Sequence, residues 1–397
     1  MNKLACMLTQ DALRSTHRRR ALRYLAGFLA GSPLLRSQQD PFRDHSRVPA
    51  INELLTAFDF EPVAYAKVPR YDYDYTAYGT DTEFTLRRNR EAFSWAELVP
   101  NRAVEASTVS TTTEVLGTKM AFPIFVSPSS GHLMLHPEAE AATYKGATAA
   151  SETPYIVSNA SSLPFEKIAP AAKGPLWAQI YPKQNENDNR DYLERVQAAG
   201  AKAIVVTMDQ QASEHDRILH DWNLSSRRPA TRRVAPKNPY RLPEYRLWYS
   251  WSYFDMIRPM VKTPLLAKGV NTAEDARLCI EHGVDGIYVS NHGGRSVDYG
   301  PSTLEVLPEI VDAVGGKVPI IFDSGVRRGS DALKALALGA KAVCLGRVPR
   351  WGLAAYGAPG VQRILEILQT ELVQAMAYTG CATVASIDKR VVRVDFP

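Results

Sequence analysis

From residue 120 onward, short apolar or β-branched runs alternate with longer amphipathic stretches. The runs that read as strands are FPIFVS (122–127), YIVS (155–158), LWAQIY (176–181), AIVVTM (203–208), PLLAKG (264–269), GIYVSN (286–291), PIIFDS (319–324) and AVCLGR (342–347). Between them lie helical patterns such as HPEAEAATYKGATAAS, NDNRDYLERVQAAG, TAEDARLCIEHG and STLEVLPEIVDAVGG, with Ser, Thr or Asn near several starts and Gly at several ends. A strand, helix, strand order repeated this often implies a parallel sheet. Eight such strands close most simply into a (β/α)8 TIM barrel over residues 116–397. Residues 46–115 read as a helical lead-in, and residues 1–45 as a basic extension or signal.

The alternation breaks once. A gap of about 55 residues follows the fourth run and contains NLSSRRPATRRVAPKNPYRLPEYRLWYSWSYF. Its Pro, Arg and Ser content suits either a solvated surface insertion or a lid over the barrel mouth, and both readings stay open.

Charge narrows the function classes. The formal net charge is +5, and the first 23 residues hold Lys3, Arg14, Arg18, Arg19, Arg20 and Arg23 against Asp11, which leaves the body neutral. A basic tail on a neutral body argues against a nucleic-acid groove, which needs basic residues spread over a folded face. Within the tail, THRRRALRYLAGFLAGSPLL puts a twin-arginine run before an apolar stretch too short to span a membrane. A cytoplasmic protein with a disordered or amphipathic extension is expected; export by a twin-arginine signal, or weak membrane association through residues 14–36, is the alternative. Cys6, Cys279, Cys344 and Cys381 form no CxxC pair, so neither a disulfide framework nor a zinc site is expected. His132 and His136 have helical metal-ligand spacing but lack a nearby acid or thiol to complete a set, so no metal is expected.

In a TIM barrel the chemistry collects at the C-terminal ends of the strands. There the chain places Pro128, Ser129 and Ser130 after the first run, Ser158 after the second, Gln179 and Tyr181 after the third, and Thr207 and Asp209 after the fourth. Lys268 ends the fifth run, Asn291-His292-Gly293-Gly294-Arg295 the sixth, Asp323 to Arg327 the seventh, and Gly346-Arg347 the eighth. The last two ends each pair glycine with arginine, in DSGVRR and LGR, which suits a phosphate group. A buried Lys268 needs a negative partner, either Asp323 or an electron-rich cofactor atom. Gln179, Thr207, Ser129 and Ser158 offer hydrogen bonds to the edge of a flat heteroaromatic ring.

These residues resemble the FMN-dependent 2-hydroxy acid oxidising enzymes, the family of glycolate oxidase, lactate oxidase, lactate 2-monooxygenase and mandelate dehydrogenase. The resemblance rests on SNHGGR, AKGVNTAEDA, DSGVRRGSDALKALALGAKAVCLGR and YTGCATVASI, and runs from about Tyr71 to the C-terminus. It implies an FMN cofactor, a small 2-hydroxy acid substrate, oxygen or another electron acceptor, and a homotetramer. It also implies that His292 is the base, oriented by Asp209, and that Arg295 and Arg217 bind the substrate carboxylate while Tyr75 and Tyr181 hydrogen-bond substrate or developing charge. Lys268 is expected beside flavin N1 and the C2 carbonyl, and Arg327 and Arg347 at the phosphate. Pro128, Ser129, Ser130, Ser158, Gln179, Thr207, Ser290, Asp323, Gly325 and Gly346 complete the expected cofactor set.

Residue chemistry agrees with that assignment. Taking two electrons from a 2-hydroxy acid needs a base near the carbon bearing the hydroxyl and a bidentate cation on the carboxylate. His292 and Arg295 supply both from one turn, and the glycines between them are expected to leave space for substrate. Ser296 and Ala160 depart from the family pattern, and a small residue at 160 suggests room for a substrate that is lactate-like or larger. Ser130 lies at a seat that influences reaction with oxygen, so oxidase, dehydrogenase and monooxygenase chemistry stay open. A flavin-dependent isomerase or a non-catalytic flavoprotein on the same barrel would not need the His292 and Arg295 pair.

Overall fold

The computed structural model describes residues 47–101, 106–209 and 250–397. The basic tail, Arg217, His215, His220 and the segment read as an insertion or lid (210–249) lie outside the described residues. Eight strands, β1 (Ile124–Val126), β2 (Tyr155–Ser158), β3 (Leu176–Ile180), β4 (Ile204–Thr207), β5 (Leu265–Val270), β6 (Gly286–Val289), β7 (Ile320–Phe322) and β8 (Ala342–Leu345), close a barrel. Every pairing is parallel, including the closure of β8 onto β1. Seven of the anticipated runs contain one of them, and β5 extends one residue past its run, to Val270.

The strands are buried on both faces, which is why they read as continuous apolar runs. Phe125, Ile156, Trp177, Val205, Leu266, Tyr288, Ile321 and Cys344 fill the barrel interior. Their neighbours, among them Ile124, Val157, Val206, Ile287 and Leu345, face the surrounding helices. Local chemistry sets the helix ends. Ser302 Oγ accepts from Glu305 N at 3.3 Å while the Glu305 carboxylate accepts from Ser302 N at 3.0 Å, and Gly315 ends that helix at φ 57°.

The lead-in is helical, with α1 (Ala57–Lys67), α2 (Arg70–Ala77) and α3 (Phe84–Glu91). It also contains a hairpin, Thr113–Val115 with Thr118–Met120, that crosses the expected 115/116 boundary. Val115, Leu116 and Met120 pack on the barrel interior, and Trp177 Nε1 donates to Thr118 Oγ1 at 2.9 Å. The hairpin thus adds an apolar floor to the barrel and leaves the strand C-terminal ends as the rim available for chemistry. Among the described residues no helix is long and apolar enough to cross a membrane.

Candidate active site

The turn after β6 is left-handed at three successive residues, His292 at φ 58°, Gly293 at 69° and Gly294 at 78°. A histidine there costs on the order of 1–3 kcal/mol, so its surroundings must hold it. His292 N donates to Ser290 Oγ at 3.1 Å, and Thr80 N donates to Gly294 O at 2.9 Å. The glycines are required by close packing as well. A Cβ on Gly293 would lie 2.6 Å from Arg347 Nη1, and one on Gly294 would lie 2.6 Å from the Leu86 backbone. They admit the protein's own Arg347 and α3, and Gly293 also lines the cleft.

His292 Nδ1 lies 2.8 Å from Asp209 Oδ1. Burial by itself would raise the Asp209 pKa, but Lys268 and His292 outweigh it and hold the carboxyl below its ordinary value. An ionised carboxylate only accepts, so Nδ1 carries the proton and Nε2 the lone pair. Burial, reinforced by the Lys268 charge, lowers the imidazole pKa against the pull of Asp209. The shift favours the neutral ring, whose Nε2 lone pair can accept a proton, in the wall of a cleft. Lys268 Nζ sits 3.3 Å from His292 Nδ1 and 3.7 Å from Asp209 Oδ2, over the Tyr288 ring. Its partner is Asp209, and the alternative pairing with Asp323 is not formed. Asp323 instead accepts from Tyr288 Oη and Ser324 Oγ, each at 2.8 Å.

Arg295 lines the same cleft, and its Nη1 donates to Tyr75 O at 2.6 Å. Its guanidinium carbon lies 4.9 Å from the Tyr75 ring centroid, and the Tyr75 hydroxyl meets Ser130 Oγ at 2.6 Å. Tyr181, Pro128, Ser129, Ser130, Ser158 and Lys268 also face the cleft, so residues from five strand ends and α2 converge.

Three deeper groups form one chain: Ser158 Oγ donates to Gln179 Oε1 at 3.0 Å, and Gln179 Nε2 to Thr207 Oγ1 at 2.8 Å. Ser129 Oγ pairs with His132 Nε2 at 2.8 Å, and His132 Nδ1 pairs with Thr143 Oγ1 at 2.8 Å. His132 is thus tied to hydroxyls, and burial lowers its pKa well below the ordinary value. No metal-ligating group of three or more occurs among the described residues. Ser290, fully buried, supports the His292 backbone.

The other rim fits a phosphate. Arg327 is pushed down to about 10, first by burial and then by the nearby Arg90 charge. Its guanidinium lies 5.0 Å from the Trp351 ring centroid and donates to Val326 O, with no carboxylate at ion-pair distance among the described residues. A half-buried cation that lines the cleft without a carboxylate partner among the described residues is a prepared anion site. A Cβ on Gly346 would project into open space at the N-terminus of the helix Arg347–Thr379, beside Gly325 on the cleft wall. Arg347 donates to the carbonyls of Thr76, Gly293 and Tyr78 at 2.8–3.0 Å, joining this rim to α2 and the His292 turn. The cleft's donors and cations would fit FMN, with Arg327 and Gly346 toward the phosphate and Lys268 and Ser158 toward the ring, while Gln179 is buried behind Ser158 with both ends of its amide bonded within the protein.

The family model described as FMN-dependent dehydrogenase matches residues 64–394. The chain belongs to this family. Across 356 residues it is 35% identical to a peroxisomal (S)-2-hydroxyacid oxidase of Arabidopsis thaliana, covering 87% of this chain and 98% of that protein. It is 37% identical to a glycolate oxidase of Oryza sativa, covering 86% and 97%. Among solved structures, a mandelate oxidase superposes with a TM-score of 0.77 at 32% identity, covering 86% of this chain and 99% of the other. A lactate oxidase described as putative, from Pediococcus acidilactici, gives 0.77 at 32%, covering 87% and 96%. The FMN-dependent dehydrogenase family thus accounts for barrel and cofactor together. Two residues tied to the site carried no motif: Asn89, whose side-chain amide pairs with that of Asn291, and the cleft-lining Arg350. Arg350 stands one helical turn beyond Arg347, and that spacing was the available signal.

Proposed function

We propose that this member of the family oxidises an L-2-hydroxy acid, lactate-like or larger, to the 2-oxo acid, with oxygen as the acceptor that restores the cofactor. The observation that carries the reading is the 2.8 Å contact of His292 Nδ1 with Asp209 Oδ1, where both pKa values are lowered, on the same turn as the cleft-lining Arg295. Bound FMN supplies the two-electron acceptor. Arg295 fixes the substrate carboxylate, and Tyr75 and Tyr181 orient the hydroxyl. His292 Nε2 takes the proton released as two electrons leave the substrate, and Asp209 stabilises the imidazolium that results. Lys268 places a positive charge where negative charge accumulates on reduction.

The test is an anaerobic titration of the purified yellow protein with L-2-hydroxy acids, followed by air. Bleaching by one acid, then recolouring in air with release of peroxide, is the expected result. A flavin that no acid bleaches would overturn the reading.

A further inference from the structure

Arg350 is a cation that the reaction above does not use. It is 5% exposed, yet it lines the cleft together with Tyr75, Thr76, Ser130 and Arg295. Its Nε donates to Thr76 Oγ1 at 3.0 Å and its Nη1 to Ser130 O at 2.5 Å, while Nη2 is buried with no hydrogen-bond partner. Burial pushes its pKa down to about 10; the Tyr75 phenol opposes that, and the Arg295 charge adds to it. Among the described residues no carboxylate lies at ion-pair distance. Glu140, the nearest acid in electrostatic terms, is occupied by the N–H groups of His132, Ser162 and Leu163.

Two guanidiniums therefore lie against one phenol ring, Arg295 at 4.9 Å from its centroid and Arg350 at 5.5 Å. Their separation cannot exceed the sum of those two distances. The Tyr75 hydroxyl, bonded to Ser130 Oγ, marks the space they share as cleft. Keeping an uncompensated cation out of water is costly, and the cost is offset only when an anion arrives. The substrate carboxylate is assigned to Arg295 and the cofactor phosphate to Arg327, and no described residue brings a carboxylate to Arg350, which points to a further anionic group elsewhere on the substrate.

We infer that Arg350 is a specificity-determining residue that receives a second carboxylate, making the preferred substrate a 2-hydroxy dicarboxylic acid. This deepens the proposed reaction and rests on it. A four- or five-carbon L-2-hydroxy diacid has the length to place one carboxylate on Arg295 and the other toward Arg350. A neutral side chain of equal length would leave Arg350 buried and unpaired, so selection comes from the anion as much as from shape.

The experiment compares the holoenzyme with Arg350→Gln and Arg350→Lys. Anaerobic flavin reduction is followed with L-malate and L-2-hydroxyglutarate against L-lactate and L-2-hydroxybutyrate. Binding of the non-reducible succinate against butyrate is read from perturbation of the flavin spectrum. The expected wild-type result is a kcat/KM for a diacid at least tenfold above that for the monoacids. Arg350→Gln is expected to lower the diacid value at least tenfold more than the monoacid value, and to weaken succinate at least tenfold more than butyrate. Arg350→Lys should recover part of that preference. Equal losses for both classes, or a wild-type enzyme that favours monoacids, overturn the inference while leaving the oxidation reading intact. If no acid bleaches the flavin, the oxidation reading falls, and succinate against butyrate still decides Arg350. Should Arg350→Gln fail to hold FMN, the diacid-to-monoacid ratios of the wild type and Arg350→Lys decide the role of Arg350.

Discussion

The side-chain amides of Asn89 and Asn291 face each other, each Nδ2 donating to the other's Oδ1 at 2.8 Å. Asn89 lies on α3 and Asn291 immediately before His292, so the pair fastens the lead-in to the strained turn that carries the base. Asn291 Oδ1 also accepts from Gly294 N at 3.0 Å. A buried amide that loses its partner costs about 1–3 kcal/mol. Asn89→Ala should lower the melting temperature and slow flavin reduction. Adding Asn291→Ala should cost less than the two single losses together, which a double-mutant cycle measures.

His292→Ala should keep the yellow cofactor, because the groups fitted to FMN lie on other strand ends. Flavin reduction by a 2-hydroxy acid should fall on the order of 10²–10⁴-fold, the usual worth of a positioned base. Stopped-flow absorbance checks it, and near-normal reduction would remove His292 from the mechanism.

The pH profile follows from the His292 and Asp209 shifts. The imidazole must be neutral to act, and its folded pKa is lowered, so kcat/KM should rise with pH through an inflection below the ordinary imidazole value of about 6.5. Asp209, also depressed, stabilises the fold above its unfolded pKa, and that contribution is lost as pH falls through its still lower folded value. Asp209→Asn removes the charge that favours imidazolium, so the inflection should move lower still while kcat drops. An inflection above the ordinary value in the wild type would contradict the neutral-base assignment.

Arg295→Lys should raise the apparent KM for the hydroxy acid by about tenfold or more, since an ammonium cannot reproduce the planar two-point fork. The same change loses the bond to Tyr75 O and the contact with its ring. Unchanged affinity in steady-state assays would place the carboxylate elsewhere.

Arg327→Met separates cofactor binding from folding. Loss of charge-assisted bonds to phosphate, about 1.5–3 kcal/mol, should weaken FMN about tenfold to a hundredfold, read by titrating the apoprotein. The apoprotein itself should melt no lower than wild type, because a half-buried cation lacking a carboxylate partner among the described residues has been removed.

Much of this molecule is legible in the sequence. The eight strands could be read because they are buried on both faces and show as mainly apolar runs, interrupted only where Gln179 and Lys268 enter β3 and β5. Caps such as Ser302 with Glu305 follow from three-residue spacing. Once the barrel is inferred, its rim gathers His292, Arg295, Lys268 and Arg327, since strand ends share one face whatever the loops do.

Tertiary structure decided what spacing cannot express. Nothing local says that Gly293 yields its space to Arg347, that Lys268 pairs with Asp209 and not Asp323, or that Asn89 meets a residue 202 positions away. Nor does Arg350 in a helical stretch announce a guanidinium buried against Tyr75. Period and capping are short-range properties that the chain writes within a turn or two. Charge pairing and desolvation depend on which distant side chains closure of the barrel brings within a few ångströms, and only the folded chain sets those distances.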